Sequence, residues 1–81
     1  MAKFRKKPII VEAKQWSAGD PLPEGCWYGK DGYFDSACCY IETPEGTMRV
    51  NSGDWIITGI KGEHYPCNSE IFALTYDPID E

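Results

Sequence analysis

The most reactive side chains in this sequence belong to four cysteines and one histidine: Cys26, Cys38, Cys39, His64 and Cys67. Thiolate and imidazole groups are the usual ligands of tetrahedral zinc, and in small domains the ligands come in pairs two to four residues apart. Here Cys38 and Cys39 are adjacent, so a strand would point them to opposite faces. His64 and Cys67 have Pro66 between them. The spacing therefore favours small buried hydrophobic residues, and a zinc-binding module stays open as an alternative.

Covalent catalysis would require a nucleophile beside a base that is itself oriented by a third group. His64 is the only histidine, so any Cys–His pair must use it. No local pattern builds such a pair, and the glycines lie in turn sequences instead of opening a helix after a strand, as phosphate-binding loops do. We therefore expect a protein that is not an enzyme and needs no cofactor.

The aromatic residues are the best candidates for a functional surface, because Trp and Tyr anchor interfaces and stack on planar ligands. Three Trp, five Tyr and three Phe are more than the core of an 81-residue chain encloses. Arg49 and Lys61 are among the few cations of the acidic body, and beside aromatic rings they could hold an anionic ligand such as a nucleotide. The predicted binding residues are Trp27, Tyr28, Tyr33, Arg49, Trp55, Lys61, His64 and Tyr65. For any one of these aromatics, a place in the core is the alternative.

The length and charge limit the classes of function. Residues 1–81 suffice for one domain, and the net charge of −5 is unevenly distributed. Residues 1–16 hold five Lys or Arg and one Glu, whereas residues 17–81 hold three Lys or Arg and twelve Asp or Glu. An acidic body repels phosphate backbones, so we expect no duplex nucleic acid as partner. The apolar runs are far shorter than the roughly 20 residues that span a bilayer, so no membrane is expected. The charged segment after Met1 indicates a cytoplasmic protein with free thiols.

The elements that must position these residues are mostly strands. Alternation over residues 7–16 predicts a first strand, with Ile9, Val11 and Ala13 on one face and Ile10, Glu12, Lys14 and Trp16 on a mixed face partly in water. Residues 17–25 read as a loop. An aromatic hairpin is expected to pair residues 26–28 with 33–35 around the turn 29–32. A second hairpin pairs 38–42 with 47–50 around Thr43-Pro44-Glu45-Gly46.

A third pair of strands, 55–59 and 63–66, follows the turn 51–54 and ends at Pro66. Asn68 can cap a short helix that continues to Thr75, with Cys67 and Phe72 at the spacing of a hydrophobic staple. Ile71, Phe72 and Leu74 give that helix an apolar side. The predicted fold class is mainly β with one short C-terminal helix, built as a small, strongly bent antiparallel sheet or an SH3-like barrel.

Both ends of the chain resemble a family of small, largely uncharacterised proteins of tailed bacteriophages and prophages. The resemblance is carried by residues 4–8 running into 11–16, by 53–57 leading to 62–67, and by 71–76. It implies an accessory protein in the cytoplasm of an infected bacterium, and it supplies no catalytic residues.

Together, the residues and the resemblance lead to one main functional hypothesis. The protein is expected to be a binding protein that modulates or antagonises a host process, such as anti-phage defence. It would engage a host protein or sequester a small anionic ligand, a nucleotide for example. The alternatives are a structural or morphogenetic phage protein acting as a homo-oligomer and the zinc-binding module.

Overall fold

A computed structural model describes residues 1–5, 7–28 and 38–79. Every strand pairing in this part of the chain is antiparallel, and the strands form two three-stranded sheets with the orders β1-β5-β6 and β2-β3-β4. The predicted class, mainly β with one short C-terminal helix, is confirmed. The six described strands are divided equally between two small sheets. The elements are β1 (Glu12–Gln15), β2 (Cys26–Trp27), β3 (Cys38–Thr43), β4 (Gly46–Asn51), β5 (Trp55–Thr58), β6 (His64–Cys67) and α1 (Ser69–Thr75).

The β3–β4 hairpin is confirmed at its predicted turn. Thr43 pairs with Gly46, which leaves Pro44 and Glu45 as the turn residues. Gly46 has a φ of 108°, a left-handed conformation that glycine adopts without steric cost. The buried Thr43 hydroxyl donates to the Gly46 carbonyl at 2.8 Å and accepts from the Glu45 N–H at 3.1 Å. The side chain and backbone therefore close this turn together.

The β5–β6 hairpin differs from the prediction at its end, because Pro66 does not terminate the pairing. It lies opposite Ile56 within β6, and the strand continues to Cys67. The Gly59 N–H donates to the Glu63 carbonyl at 2.8 Å. Since ladder bonds alternate along a strand, position 66 faces away from β5. A proline there removes no bond from the ladder, which is why an outer strand tolerates it.

Strand β1 is shorter than predicted, and its mixed face is buried at Trp16. Regular pairing begins at Glu12, opposite Thr58. Trp16 follows the strand and stays attached to it, because its N–H donates to the Asp54 carbonyl at 3.0 Å. Its side chain is only 1% exposed. The face is partly in water, as expected, because Glu12 and Lys14 are exposed. At Trp16 it packs with Ile56 against the second sheet.

The core lies between the two sheets. Trp16 and Ile56 come from the first sheet and its extension, and they meet side chains of β3 and β4 from the second. Leu22, Cys26 and Tyr28 pack against this cluster. The buried cluster consists of Trp16, Cys39, Ile41, Val50 and Ile56.

Helix α1 begins where the sequence predicts. The Asn68 side chain accepts hydrogen bonds from the backbone N–H groups of Glu70, at 2.8 Å, and Ile71, at 3.4 Å. The predicted apolar side is only partly used: Phe72 is half-buried, whereas Ile71 is 59% exposed and Leu74 is 88% exposed. The helix therefore attaches to the protein by one side chain of that set.

Strand β2, the first arm of the predicted aromatic hairpin, pairs with β3. Cys26 pairs with Ile41 and Trp27 with Tyr40, so β2 adds to the outer side of β3. The turn 29–32 and the second arm, 33–35, lie outside the described residues. Within the described part of the chain, no helix is long and apolar enough to cross a lipid bilayer.

Candidate functional site

An open groove of about 840 Å³ lies where the two ends of the described chain meet. One wall is the segment before and within β1, and the other is α1 with the extended segment that follows it. Trp55 of β5 contributes from the sheet between them. The lining residues are Ile9, Ile10, Val11, Glu12, Ala13, Trp55, Ser69, Phe72, Ala73, Tyr76, Asp77, Pro78 and Ile79.

Three aromatic rings brace the helix side of this groove. Trp55 and Phe72 are stacked with ring centroids 4.4 Å apart and planes 7° from parallel. Phe72 also stacks on Tyr76, with centroids 5.0 Å apart and planes 30° apart. Tyr76 has extended backbone angles, and its N–H donates to the Phe72 carbonyl at 2.9 Å. The stack therefore fixes both the helix and the start of the C-terminal segment on the sheet.

The lining is mostly apolar, and its charged residues are acidic. Nine of the thirteen lining residues are apolar, and the two charged ones, Glu12 and Asp77, are both acidic. Ile10 and Ile79, from opposite walls, are 72% and 60% exposed. Large apolar side chains left in water at one place are typical of a binding surface. The two carboxylates of the lining suit an apolar occupant that carries positive charge.

Of the predicted binding residues in the 55–65 segment, Trp55 lines the groove, whereas Lys61, His64 and Tyr65 do not. Tyr65 pairs with Ile57 on the next strand, so it shares the face of Trp55 without lining the groove. His64 pairs with Thr58, and its Nδ1 lies 3.2 Å from the Thr58 hydroxyl. Lys61 is exposed in the turn, where its backbone N–H donates to the Glu63 side chain at 3.2 Å. These residues do not form one cluster.

A second group of predicted residues forms a row across the β2–β3–β4 sheet. Trp27 pairs with Tyr40, and Tyr40 pairs with Arg49, so the three side chains share the face opposite the core. Both aromatics are half-buried and Arg49 is exposed. Tyr28, by contrast, packs against the core. Tyr33 lies outside the described residues.

The cysteines and His64 are not gathered at one place. Among the described residues, no group of three or more His, Cys, Asp or Glu side chains is arranged to hold a metal ion. Cys38 and Cys39 are both buried, on opposite faces of β3. Cys67 is opposite Trp55 on the groove side of its sheet. None of the four cysteines forms a disulfide bond.

Burial keeps several of these thiols protonated. It raises the pKa of Cys39 to about 12, with the neighbouring Cys26 contributing further. Burial also raises the pKa values of the Cys26 and Cys67 thiols. Because the thiolate is the reactive and metal-binding form, these three side chains are poor nucleophiles at neutral pH.

Sequence reasoning missed most of the groove. Ile9, Ile10, Phe72, Tyr76 and Ile79 were assigned to strand, helix or tail without a binding role. The available signal was the concentration of large apolar residues near both ends of the chain, outside the hairpins. Only the tertiary structure brings those two ends side by side.

Comparison with known protein families, with curated proteins and with solved structures gives no match to this chain.

Proposed function

We propose that this protein is a non-enzymatic binding protein whose groove holds an apolar, positively charged segment of another protein. The observation that carries the proposal is the lining of the groove, in which nine of thirteen residues are apolar and both charged residues are carboxylates. The volume of about 840 Å³ has room for several large side chains. The two carboxylates of the lining would pair with Lys or Arg residues that flank the bound segment and would repel acidic segments.

The resemblance to tailed-phage proteins extends the proposal to the partner. A phage accessory protein acting in an infected bacterium would engage a host protein and modulate or antagonise its process, anti-phage defence being the case we favour. The acidic body supports a protein partner over nucleic acid.

Selection of peptides from a random library tests the groove directly. We expect enrichment of sequences with two or more large apolar residues and flanking Lys or Arg, and a change in tryptophan fluorescence on binding. The variant Ala73→Arg places a bulky cation in the groove wall and should abolish binding. The matched control is Leu74→Arg, on the next residue of the same helix, which is 88% exposed and outside the groove. Equal binding by both variants, or enrichment of acidic peptides, would contradict the proposal.

A second candidate function is binding of a small planar anion, and the Trp27–Tyr40–Arg49 row favours it. Arg49 would meet the anionic group while the neighbouring rings stack on the planar part. A thermal-shift panel of nucleotides tests this candidate. A rise in Tm that Arg49→Ala removes would support it, and no shift with any nucleotide would dismiss it.

A further inference from the structure

The outer edge of β1 is open. In the order β1-β5-β6, β1 is the terminal strand, and no other strand of the described chain lies on its far side. The bond from the Trp16 N–H to the Asp54 carbonyl shows that Trp16 bonds toward β5. Ladder bonds alternate along a strand, so Lys14 and Glu12 also bond toward β5. The backbone groups of Ala13 and Gln15 therefore point outward.

Two of the other outer strands, β6 and β4, have part of their edge blocked. On β6, Pro66 occupies an outward-facing position and removes one donor from that edge. On β4, the outward N–H of Asn51 is already bonded to the Asp54 carboxylate at 2.9 Å. From Ile9 to Trp16 the chain has no proline. An edge strand without such protection is a template for pairing with another chain.

The side chains of β1 make this edge complementary to itself. If two copies pair antiparallel with Ala13 opposite Ala13, Glu12 of each copy lies opposite Lys14 of the other. Both side chains are exposed in the single chain. Directly opposite residues of this kind have Cβ atoms about 4.5–5.5 Å apart, and opposite charges there stabilise the pairing. The Ala13 pair would exchange two backbone hydrogen bonds, because its N–H and carbonyl groups are the outward ones.

We infer that two copies of this chain associate through β1 into a two-fold symmetric dimer, with Ala13 at its centre and a Glu12–Lys14 ion pair on either side. The two sheets join into one of six strands in the order β6-β5-β1-β1-β5-β6. Because paired residues share a face, both grooves open on the same side of that sheet. Glu12 and Ala13 also line the groove, so the dimer is measured without any groove occupant.

Analytical ultracentrifugation of the full chain, from micromolar to millimolar concentration and at low and high salt, tests the inference. We expect a monomer–dimer equilibrium. Glu12→Lys and Lys14→Glu should each raise the dimer dissociation constant by about tenfold or more, because each replaces two attractive pairs with two repulsive ones. The double variant E12K/K14E restores the attraction and should dimerise like the parent. Glu24→Lys, the same charge change on an exposed turn residue, should have no such effect.

Ala13→Pro provides a second test, because it removes an outward N–H and no bond to β5. The variant should be folded by circular dichroism and monomeric by ultracentrifugation. A chain that stays monomeric at every concentration overturns the inference. So does a dimer that tolerates both the single charge changes and A13P, or one that the double variant fails to restore. If A13P does not fold, the three charge variants decide alone, because both altered positions are exposed.

Discussion

Replacing Phe72 with alanine should release helix α1 from the protein without unfolding the two sheets. The helix has seven residues and none of them is buried. Helices this short are unstable alone in water. Its attachment depends on the half-buried Phe72 ring, stacked 4.4 Å from the Trp55 ring. Without that ring, the asparagine cap alone should not keep the helix formed.

The magnitude follows from the burial and the stack. Burying a whole Phe side chain is worth about 1.5–3 kcal/mol, so half-burial gives about 1–1.5 kcal/mol. Stacking adds about 0.5–1.5 kcal/mol. The free energy of opening the helix should therefore fall by about 1.5–3 kcal/mol, which is about 10- to 150-fold in the opening equilibrium.

Amide hydrogen exchange followed by NMR measures this opening residue by residue. In F72A we expect the Tyr76 N–H, which bonds to the carbonyl of residue 72, to lose its protection. Val50, in the core, should change little. Leu74→Ala, at a position 88% exposed, is the matched control and should stay within about 0.5 kcal/mol of the parent.

Two results would refute the reasoning. Protection of α1 in F72A within twofold of the parent would mean that the helix does not depend on the stack. Equal loss of protection in α1 and at Val50 would mean that helix and sheets unfold as one unit. A double-mutant cycle with Trp55→Leu isolates the stack itself, and we expect a coupling free energy of about 0.5–1.5 kcal/mol.

Four further changes test the other structural assignments. Thr43→Val should cost about 1–3 kcal/mol in urea unfolding, because it removes both hydrogen bonds that the buried Thr43 hydroxyl makes with the turn backbone. Asn68→Ala should cost about 1 kcal/mol, chiefly in α1, by removing the cap. Trp16→Phe should cost less than the roughly 3–5 kcal/mol typical of large core truncations. Among the described residues the buried indole N–H has no hydrogen-bond partner. Removing this unsatisfied donor therefore offsets part of the free energy lost with the packing. The Cys39 thiol, whose pKa burial raises from 9.0 to about 12, keeps its proton in the folded state while the unfolded chain loses it. Its contribution to stability is thus present below about pH 9 and declines above it by up to about 1.4 kcal/mol per pH unit, so Cys39→Ala should show a shallower decline in urea unfolding between about pH 9 and pH 11.

Each of these has a clear opposing outcome. A cost below about 0.5 kcal/mol for T43V or N68A would mean that solvent replaces the lost bonds. A loss of roughly 3–5 kcal/mol in the free energy of unfolding for W16F would show that the buried indole N–H does not destabilise the core. Parallel pH profiles for the parent and C39A would assign the alkaline loss of stability to other groups.

Local chemistry was enough to predict the turns and the helix start. Pro44, Glu45 and Gly46 define a hairpin because their backbone preferences favour one turn, whatever surrounds them. Asn68 caps α1 because its side chain reaches N–H groups only two and three residues ahead. The mainly β class follows from such signals repeated along the chain.

Side-chain environments were decided by contacts between distant segments. Alternation placed Trp16 on a mixed face with Glu12 and Lys14, yet that face meets the second sheet at Trp16 and leaves the two charged residues in water. The groove arises in the same way, because residues 9–13 and 72–79 become neighbours only when β1 pairs with β5 and Phe72 stacks on Trp55. A sequence pattern reports spacing within one element, whereas burial depends on which elements pack together, so only the tertiary structure reveals the core tryptophan, the apolar groove and the open edge of β1.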